Sequence, residues 1–323
     1  MHWQEYWLVR CEVRVPASSA NLGPGFDVLA VALGRYLSAR YEPDETSSEL
    51  RAIVRPELHG GRNLVAEAMR YYASCTGRSL PGGTLTVDSE IPVARGLGSS
   101  AAAIVAGLVL ANDLCEEPLG RSELFRMACE LEGHGDNVGA ALFGGVVLAV
   151  DDEEGPQAVT VPVDFPLVAV VLVPDALGYT SDARAVLPRR VRRVTAVRTA
   201  ARTALLVLAL ATGQPDLLRT AMADELHQPY RAVLYPHLEE AIDHALAAGA
   251  YGAALSGAGP SVLAFCSPER ASVVQRAFTE LMARRAMDGE ALVLPIDRQG
   301  AQILRADERG PVSAPEAISS HHE

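Results

Sequence analysis

The 323-residue sequence contains no lysine; all 28 of its basic residues are arginine. A Walker-A phosphate loop needs Gly-Lys-Ser/Thr and a protein-kinase site needs its strand lysine, so both are excluded. Schiff-base catalysis, which needs a lysine amine, is excluded with them. Cysteine is sparse: Cys11, Cys75, Cys115, Cys129 and Cys266 are odd in number, widely spaced and without a CxxC pair. Neither a disulfide framework nor a zinc site is expected from them, and they read as buried thiols. Positive charge is in deficit, with a formal net charge of −12, which argues against a nucleic-acid partner. Long apolar runs are lacking too. Ala204–Ala211 and Leu167–Val173 are too short to cross a bilayer. The opening MHWQEYWLVRCEVRV has no basic end, apolar block and small-residue cleavage site in succession. The expectation is a cytoplasmic protein with no membrane partner.

The length favours two domains. Alternation and turn signals predict strands at Val9–Val15, Phe26–Leu33, Thr84–Ser89, Val146–Val150, Val168–Val173, Tyr251–Leu255, Val262–Phe265 and 291–296. Helical spacing predicts helices at 63–72, Ser100–Leu114, Ser122–Leu131, 181–187, 191–212, 215–226, 237–248 and 268–285. Residues 42–62 read as a loop with at most one edge strand. Strands and helices mix without strict βαβ alternation, so the fold class is α+β in two layers. The acidic DDEEGP at 151–156 is a hairpin tip or a domain seam. The division expected is 1–155, 156–305 and a disordered tail at 306–323. Arg189, Arg190, Arg192 and Arg193 form one basic cluster, read as a solvated helix start, with an anionic ligand as the alternative.

Four short segments carry the chemistry. In RGLGSSAAA (95–103), Gly96 and Gly98 free the backbone where a strand must turn into a helix. Ser99 and Ser100 then open that helix, whose unpaired N–H groups and positive dipole end can cradle phosphate without a cationic side chain. Alone, such a turn is as readily a helix cap with nothing bound. It is joined by SGAGPS (256–261), by PASSANLGPGFD (16–27), which ends in a carboxylate, and by EGHGDN (132–137). All four being plain turns is a poor reading.

PASSANLGPGFDVLAVAL, IPVARGLGSSAAA, EGHGDNVGAALFGG and ALSGAGPS resemble, in order, the signature motifs of the GHMP small-molecule kinases. They are most similar to those of the homoserine kinases, as is YTSDARAVLP (179–188). The resemblance implies two two-layer α/β domains, the first binding ATP, with the active site in the cleft between them. It implies ATP and Mg²⁺ as cofactors, L-homoserine as substrate and a homodimer. Nucleotide contacts would come from Asn63, Pro92, Val93, Ala94, Arg95, Gly96, Leu97, Gly98, Ser99, Ser100, Ala101, Ala102, Gly257 and Gly259. Ser100 and Glu130 would hold Mg²⁺, being hard oxygen ligands. Asn21, Asp27 and Asp136 would meet the ammonium of homoserine, and Arg184 and Arg231 its carboxylate. His134 and Thr180 would add hydrogen bonds. Plainer roles stand beside these: an N-cap for Asn63, a solvated helix residue for Glu130, a turn histidine for His134, a surface residue for Arg231.

The catalytic set implied is Ser100, Glu130, Asn137 and Arg184. Sister kinases place an aspartate base, often with a lysine, where Asn137 stands, and an amide cannot take the proton. A loose phosphoryl-transfer transition state demands little prior deprotonation, so alignment and charge stabilisation supply the rate and Asp136 binds substrate. The rival readings are a GHMP kinase for mevalonate, a sugar or an isoprenoid alcohol, and a non-catalytic binding protein. A nicotinamide oxidoreductase would need G-x-G-x-x-G after the first strand, which is missing.

Overall fold

The computed structural model describes residues 11–44, 50–54, 63–115 and 118–305. The tail at 306–323 and the start of the strand expected at Val9–Val15 lie outside the described residues. The first half of the chain runs β1 (Cys11–Asn21), β2 (Gly25–Pro43), β3 (Leu50–Val54), α1 (Leu64–Thr76), β4 (Gly83–Ser89), α2 (Ser99–Asp113), α3 (Arg121–Glu132), α4 (Asp136–Phe143), β5 (Val146–Asp152) and β6 (Gly155–Val161). The second half runs β7 (Val168–Pro174), α5 (Thr180–Ala185), α6 (Arg193–Ala211), α7 (Leu218–Ala221), α8 (Gln228–Arg231), α9 (Leu238–Ala247), β8 (Gly252–Leu255), β9 (Val262–Cys266), α10 (Ala271–Arg284), β10 (Gly289–Pro295) and β11 (Gln302–Arg305).

Seven strands form one sheet and four the other, giving the expected mixture of helices and sheets. The first sheet has the order β11-β1-β2-β4-β3, with β5 pairing β2 and β6 pairing β5. β1 continues through PASSAN, which reads as turn-rich. A register shift after Pro16 lets the ladder accommodate the proline, which has no N–H to donate, and a second follows Ala20 where the strand enters its turn. β2 is 19 residues long because, beyond pairing β1, it serves two further neighbours. Leu29–Val31 pairs β5, and Leu37–Pro43 pairs β4. The single strand expected between 42 and 62 is β3, parallel to β4 at the sheet edge.

α2 has buried residues on every side, from Ala101 through Ala111, and packs on α1, α3, α4 and β1. A helix apolar all round is a central helix, and its alanines let four neighbours approach. The second sheet is antiparallel throughout, in the order β10-β7-β9-β8. α9 and α10 cover it through a core that includes Leu238, Ala241, Val274, Phe278 and Leu281.

DDEEGP is the tip of the β5–β6 hairpin, which pairs Asp152 with Gly155. The expected boundary at 155/156 falls on that tip, and both hairpin strands belong to the first sheet. β11 also returns there, beside β1. The helix expected at 215–226 is broken. The Asp224 carboxylate accepts the backbone N–H groups of Leu226, His227 and Gln228, and so starts a new turn. No disulfide joins the cysteines, but Cys75 is exposed rather than buried. α6 also departs from expectation. Over its whole length it is long and apolar enough to cross a membrane, with a mean hydropathy of 1.5. Leu206, Ala209 and Leu210 are nevertheless buried against protein, and Arg198 and Arg202 pair with Glu225.

Candidate active site

Three loops from the two sheets meet at one place. Ser256, in the β8–β9 turn, donates its hydroxyl hydrogen to the Gly96 carbonyl (2.6 Å) and accepts from Ser19 Oγ of β1 (2.7 Å). Gly257 N–H donates to Ala20 O, and Ser18 N–H to Leu97 O, both at 3.1 Å. Gly96 and Gly98 have φ of +77° and +67°, the region that favours glycine. A Cβ would sit 2.2 Å from Ser256 O at Gly96 and 2.1 Å from Ser18 Oγ at Gly98. The glycine turn is thus clamped between β1 and the 256–261 turn, which brings Gly257 and Gly259 to it.

Gly98 is the N-cap of α2, and no side chain caps that end. The helix opens with N–H donors at the positive end of its dipole. Ser99 Oγ is buried with no hydrogen-bond partner, as is Asn63 Nδ2. Asn63 caps α1 by accepting Ala66 N–H at Oδ1, so its amide nitrogen is left over. Pro92, Val93, Ala94 and Arg95 line the approach, half-buried, with Ala94 O held by Gly178 N–H at 2.8 Å. The side chains of Leu97, Ala101 and Ala102 point into the core, so these residues offer a ligand only backbone.

Glu130 is not brought to this end. It is exposed and accepts a hydrogen bond from Tyr71. Glu132, two residues on, accepts from Ser100 Oγ at 2.6 Å. Residues two apart on a helix project about 200° apart, so only one of the pair can face α2. The carboxylate beside Ser100 is therefore Glu132, the first residue of the EGHGDN motif itself. Burial raises its pKa, the Ser100 bond and His134 pull it down, and Asp136 adds to the rise.

His134 Nδ1 lies 2.7 Å from Asp136 Oδ1, and its Nε2 lies 4.0 Å from Glu132. Burial presses the imidazole pKa down, but the bond to Asp136 and the charges of Asp136, Glu132 and Asp27 outweigh it, and the net shift is upward. Asp136 opens α4 and is 1% exposed. It also accepts the Asn137 N–H at 2.7 Å. Asn137 Oδ1 accepts the Ser18 hydroxyl at 2.8 Å, which leaves its NH₂ as a donor.

At the other end, Asn21 and Asp27, on either side of the β1–β2 turn, take φ of +71° and +60°. Asn21 locks that turn, donating to Gly257 O (2.8 Å) and accepting Asp27 N–H (3.1 Å). Arg184 forks onto both oxygens of Asp27 at 2.9 and 2.8 Å. The two residues expected to meet opposite ends of a zwitterion thus bind each other. Thr180 opens α5 and is exposed. Arg231 is 2% exposed, so the surface role is ruled out. It donates to Ala183 O (3.1 Å), Gly257 O (3.0 Å) and His227 Nδ1 (3.2 Å). Burial lowers its pKa; Arg184 lowers it further and Asp27 raises it.

Sequence reasoning missed Ser18, Phe26, Glu132 and His227. The guanidinium carbons of Arg184 and Arg231 lie 5.5 and 5.2 Å from the centroid of the Phe26 ring. Ser18 and Phe26 lie within PASSANLGPGFD, Glu132 within EGHGDN, and His227 four residues before Arg231, so their signal was proximity alone.

Two family descriptions match the chain: "GHMP kinases N terminal domain" over residues 63–145 and "GHMP kinases C terminal" over 206–284. A homoserine kinase from Deinococcus radiodurans is 42% identical over 297 residues, covering 91% of this chain and 97% of that protein. One from Synechocystis is 40% identical over 305 residues, covering 92% and 99%. The crystal structure of homoserine kinase from Cytophaga hutchinsonii superposes with a TM-score of 0.84 at 28% identity, covering 94% of this chain and all of that one.

Proposed function

Because the chain belongs to the GHMP kinases, and within them to the homoserine kinases, we propose that the cleft where the three loops meet is its active site. The reaction is transfer of the γ-phosphoryl group of ATP to the side-chain hydroxyl of L-homoserine, giving O-phospho-L-homoserine and ADP, a step of threonine biosynthesis. The observation that carries the residue assignment is the convergence on one clamped loop of an uncapped helix start, a Ser100–Glu132 oxygen pair and an Asp27–Arg184 charge pair.

The first-turn N–H groups of α2 receive the phosphate oxygens, and the helix dipole takes the place of the missing lysine. Ser99 Oγ and Asn63 Nδ2, both buried without partners, are suited to phosphate and base respectively. Ser100 and Glu132 fit Mg²⁺, since both are hard oxygen donors already 2.6 Å apart. Bound there, Mg²⁺ would neutralise charge on the phosphate oxygens.

Homoserine enters by partner exchange. Its carboxylate replaces Asp27 on Arg184, with Arg231 behind, and its ammonium replaces Arg184 on Asp27, supported by Asn21 and Asp136. The pair being exchanged is half-exposed, with side chains 40% and 35% accessible, so breaking it costs little. Mevalonate carries a carboxylate but no ammonium, and a sugar carries neither. His134 holds Asp136, and Thr180 borders the site.

The NH₂ of Asn137, aimed by Ser18, holds the acceptor oxygen but cannot take its proton. The proton stays on the hydroxyl until transfer is advanced and then passes to the phosphoryl oxygens. Asp136 is already engaged by His134 and Asn137 N–H, which suits an ammonium site rather than a base. D136N tests this: KM for homoserine should rise about tenfold or more, as expected for losing a charge-assisted hydrogen bond, with a smaller fall in kcat. A collapse of kcat alone would make Asp136 the base.

The homodimer implied by the family has a surface that suits it. Val194, Val197 and Leu208 on α6, with Val191 just before it, are exposed beside an apolar groove of about 850 Å³ that also touches Phe26 and Val28. The cytoplasm, where ATP is available, is the compartment we propose.

A further inference from the structure

The substrate site has two poles on different elements: Asn21 and Asp27 on either side of the β1–β2 turn, and Arg231 on α8 behind Arg184. One buried imidazole touches both. We propose that His227 is a positioning residue for homoserine, its neutral ring fixing the ammonium-binding turn and the carboxylate-binding arginine relative to each other.

His227 is fully buried. Its Nε2 lies 2.8 Å from the carbonyl of Gly23, in the turn between Asn21 and Asp27. A carbonyl only accepts, so that nitrogen carries the proton. Arg231 Nη1 lies 3.2 Å from Nδ1, and a guanidinium only donates, so Nδ1 is bare. The two contacts therefore define a single neutral tautomer, a donor toward one pole and an acceptor toward the other. Burial keeps the imidazole pKa below its ordinary value; the Asp224 charge raises it and the Arg231 charge lowers it.

The ring is itself held in place. Asp224 Oδ2 accepts the backbone N–H of His227 at 2.9 Å and lies 3.5 Å from ring Nε2, and Gln228 Oε1 accepts Leu255 N–H at 2.5 Å, which fastens α8 to β8. The Phe26 ring, under Arg184 and Arg231, packs on the imidazole with centroids 5.2 Å apart. His227 touches neither the glycine turn nor the Ser100–Glu132 pair in any of these contacts. Its effect should fall on homoserine and spare ATP.

The inference rests on the proposed substrate site, and two variants separate the two. H227L keeps bulk and removes both hydrogen bonds. It should raise KM for homoserine about tenfold, the usual consequence of leaving buried partners unpaired, while kcat and KM for ATP stay within about threefold. H227Q, whose amide again offers one donor and one acceptor, should recover most of that loss. Equal changes in both KM values, or no change in that for homoserine, would overturn the positioning role. Should H227L not fold, H227N decides by the same criteria, since its shorter amide cannot span both partners. R231A tests the underlying site: a homoserine KM unaffected by R231A would refute that reading, whereas a raised KM with a silent His227 would refute only this one.

Discussion

Exchanging the acids at 130 and 132 for amides separates two residues that look equivalent in the sequence. Glu132 is half-buried and accepts Ser100 Oγ at 2.6 Å at the uncapped start of α2. E132Q keeps the shape and an acceptor for Ser100 but removes the charge that a divalent cation would meet. Losing one preorganised electrostatic group at the reacting end costs about 10²- to 10³-fold in turnover, or about 2.7–4 kcal/mol. Glu130 lies on the exposed side of α3, joined only to the Tyr71 hydroxyl among its described hydrogen bonds. E130Q should therefore change turnover by no more than about twofold, the scale of a surface interaction. The assay is steady-state ADP release at saturating homoserine, repeated across a Mg²⁺ titration. E132Q should also need more Mg²⁺ for half-maximal rate. A slow E130Q beside a normal E132Q would return the metal to Glu130 and refute the geometric argument.

Two further outcomes follow from other parts of the molecule. G98A places a side chain at φ +67° and 2.1 Å from Ser18 Oγ. The left-handed strain of about 1–2 kcal/mol, together with loss of the Ser18–Asn137 bond, should weaken ATP binding about tenfold or more by titration calorimetry. An unchanged affinity would remove this loop from the nucleotide site. His237 donates to Pro260 O at 2.9 Å. Its pKa is lowered chiefly by burial, with the Pro260 bond opposing and Arg285 adding to the fall. The native state then binds fewer protons than the unfolded chain, so this residue's contribution to stability is lost as pH falls from about 6.5 through the depressed value. His134, shifted upward, works in the opposite sense. The difference in urea midpoint between wild type and H237Q, taken from about pH 7.5 to about pH 5.5, isolates the effect. If H237Q does not flatten the pH dependence, the histidine is not buried as described.

Glycine turns were the legible part of the site because their function depends on backbone freedom, and a glycine announces that freedom in sequence. Gly96 and Gly98 take the left-handed conformation their spacing invites. The resemblance put Asp27 and Arg184 at opposite ends of one zwitterion, and their direct contact was not foreseen. Glu130 against Glu132 was not legible from composition, since both are acids near a helix end. Only the rotation of α3 decides which one faces Ser100. Ser18 and His227 act through bonds to residues 119 and 204 positions away, a separation at which no local pattern survives. Among the elements, the amphipathic and apolar helices were legible. The break at Asp224 was not, because a side chain capturing three N–H groups overrides a helical period.

The β11–β1 pairing, which sets Arg305 against Cys11, also governs the order in which the molecule can be finished. During synthesis, the outer margin of the first sheet stays unpaired until almost the whole chain has left the ribosome. A nascent N-terminal half therefore carries an open strand, available to the wrong neighbour. β11 acts as a latch on β1, so the first half of the chain is not independent of the segment that follows it.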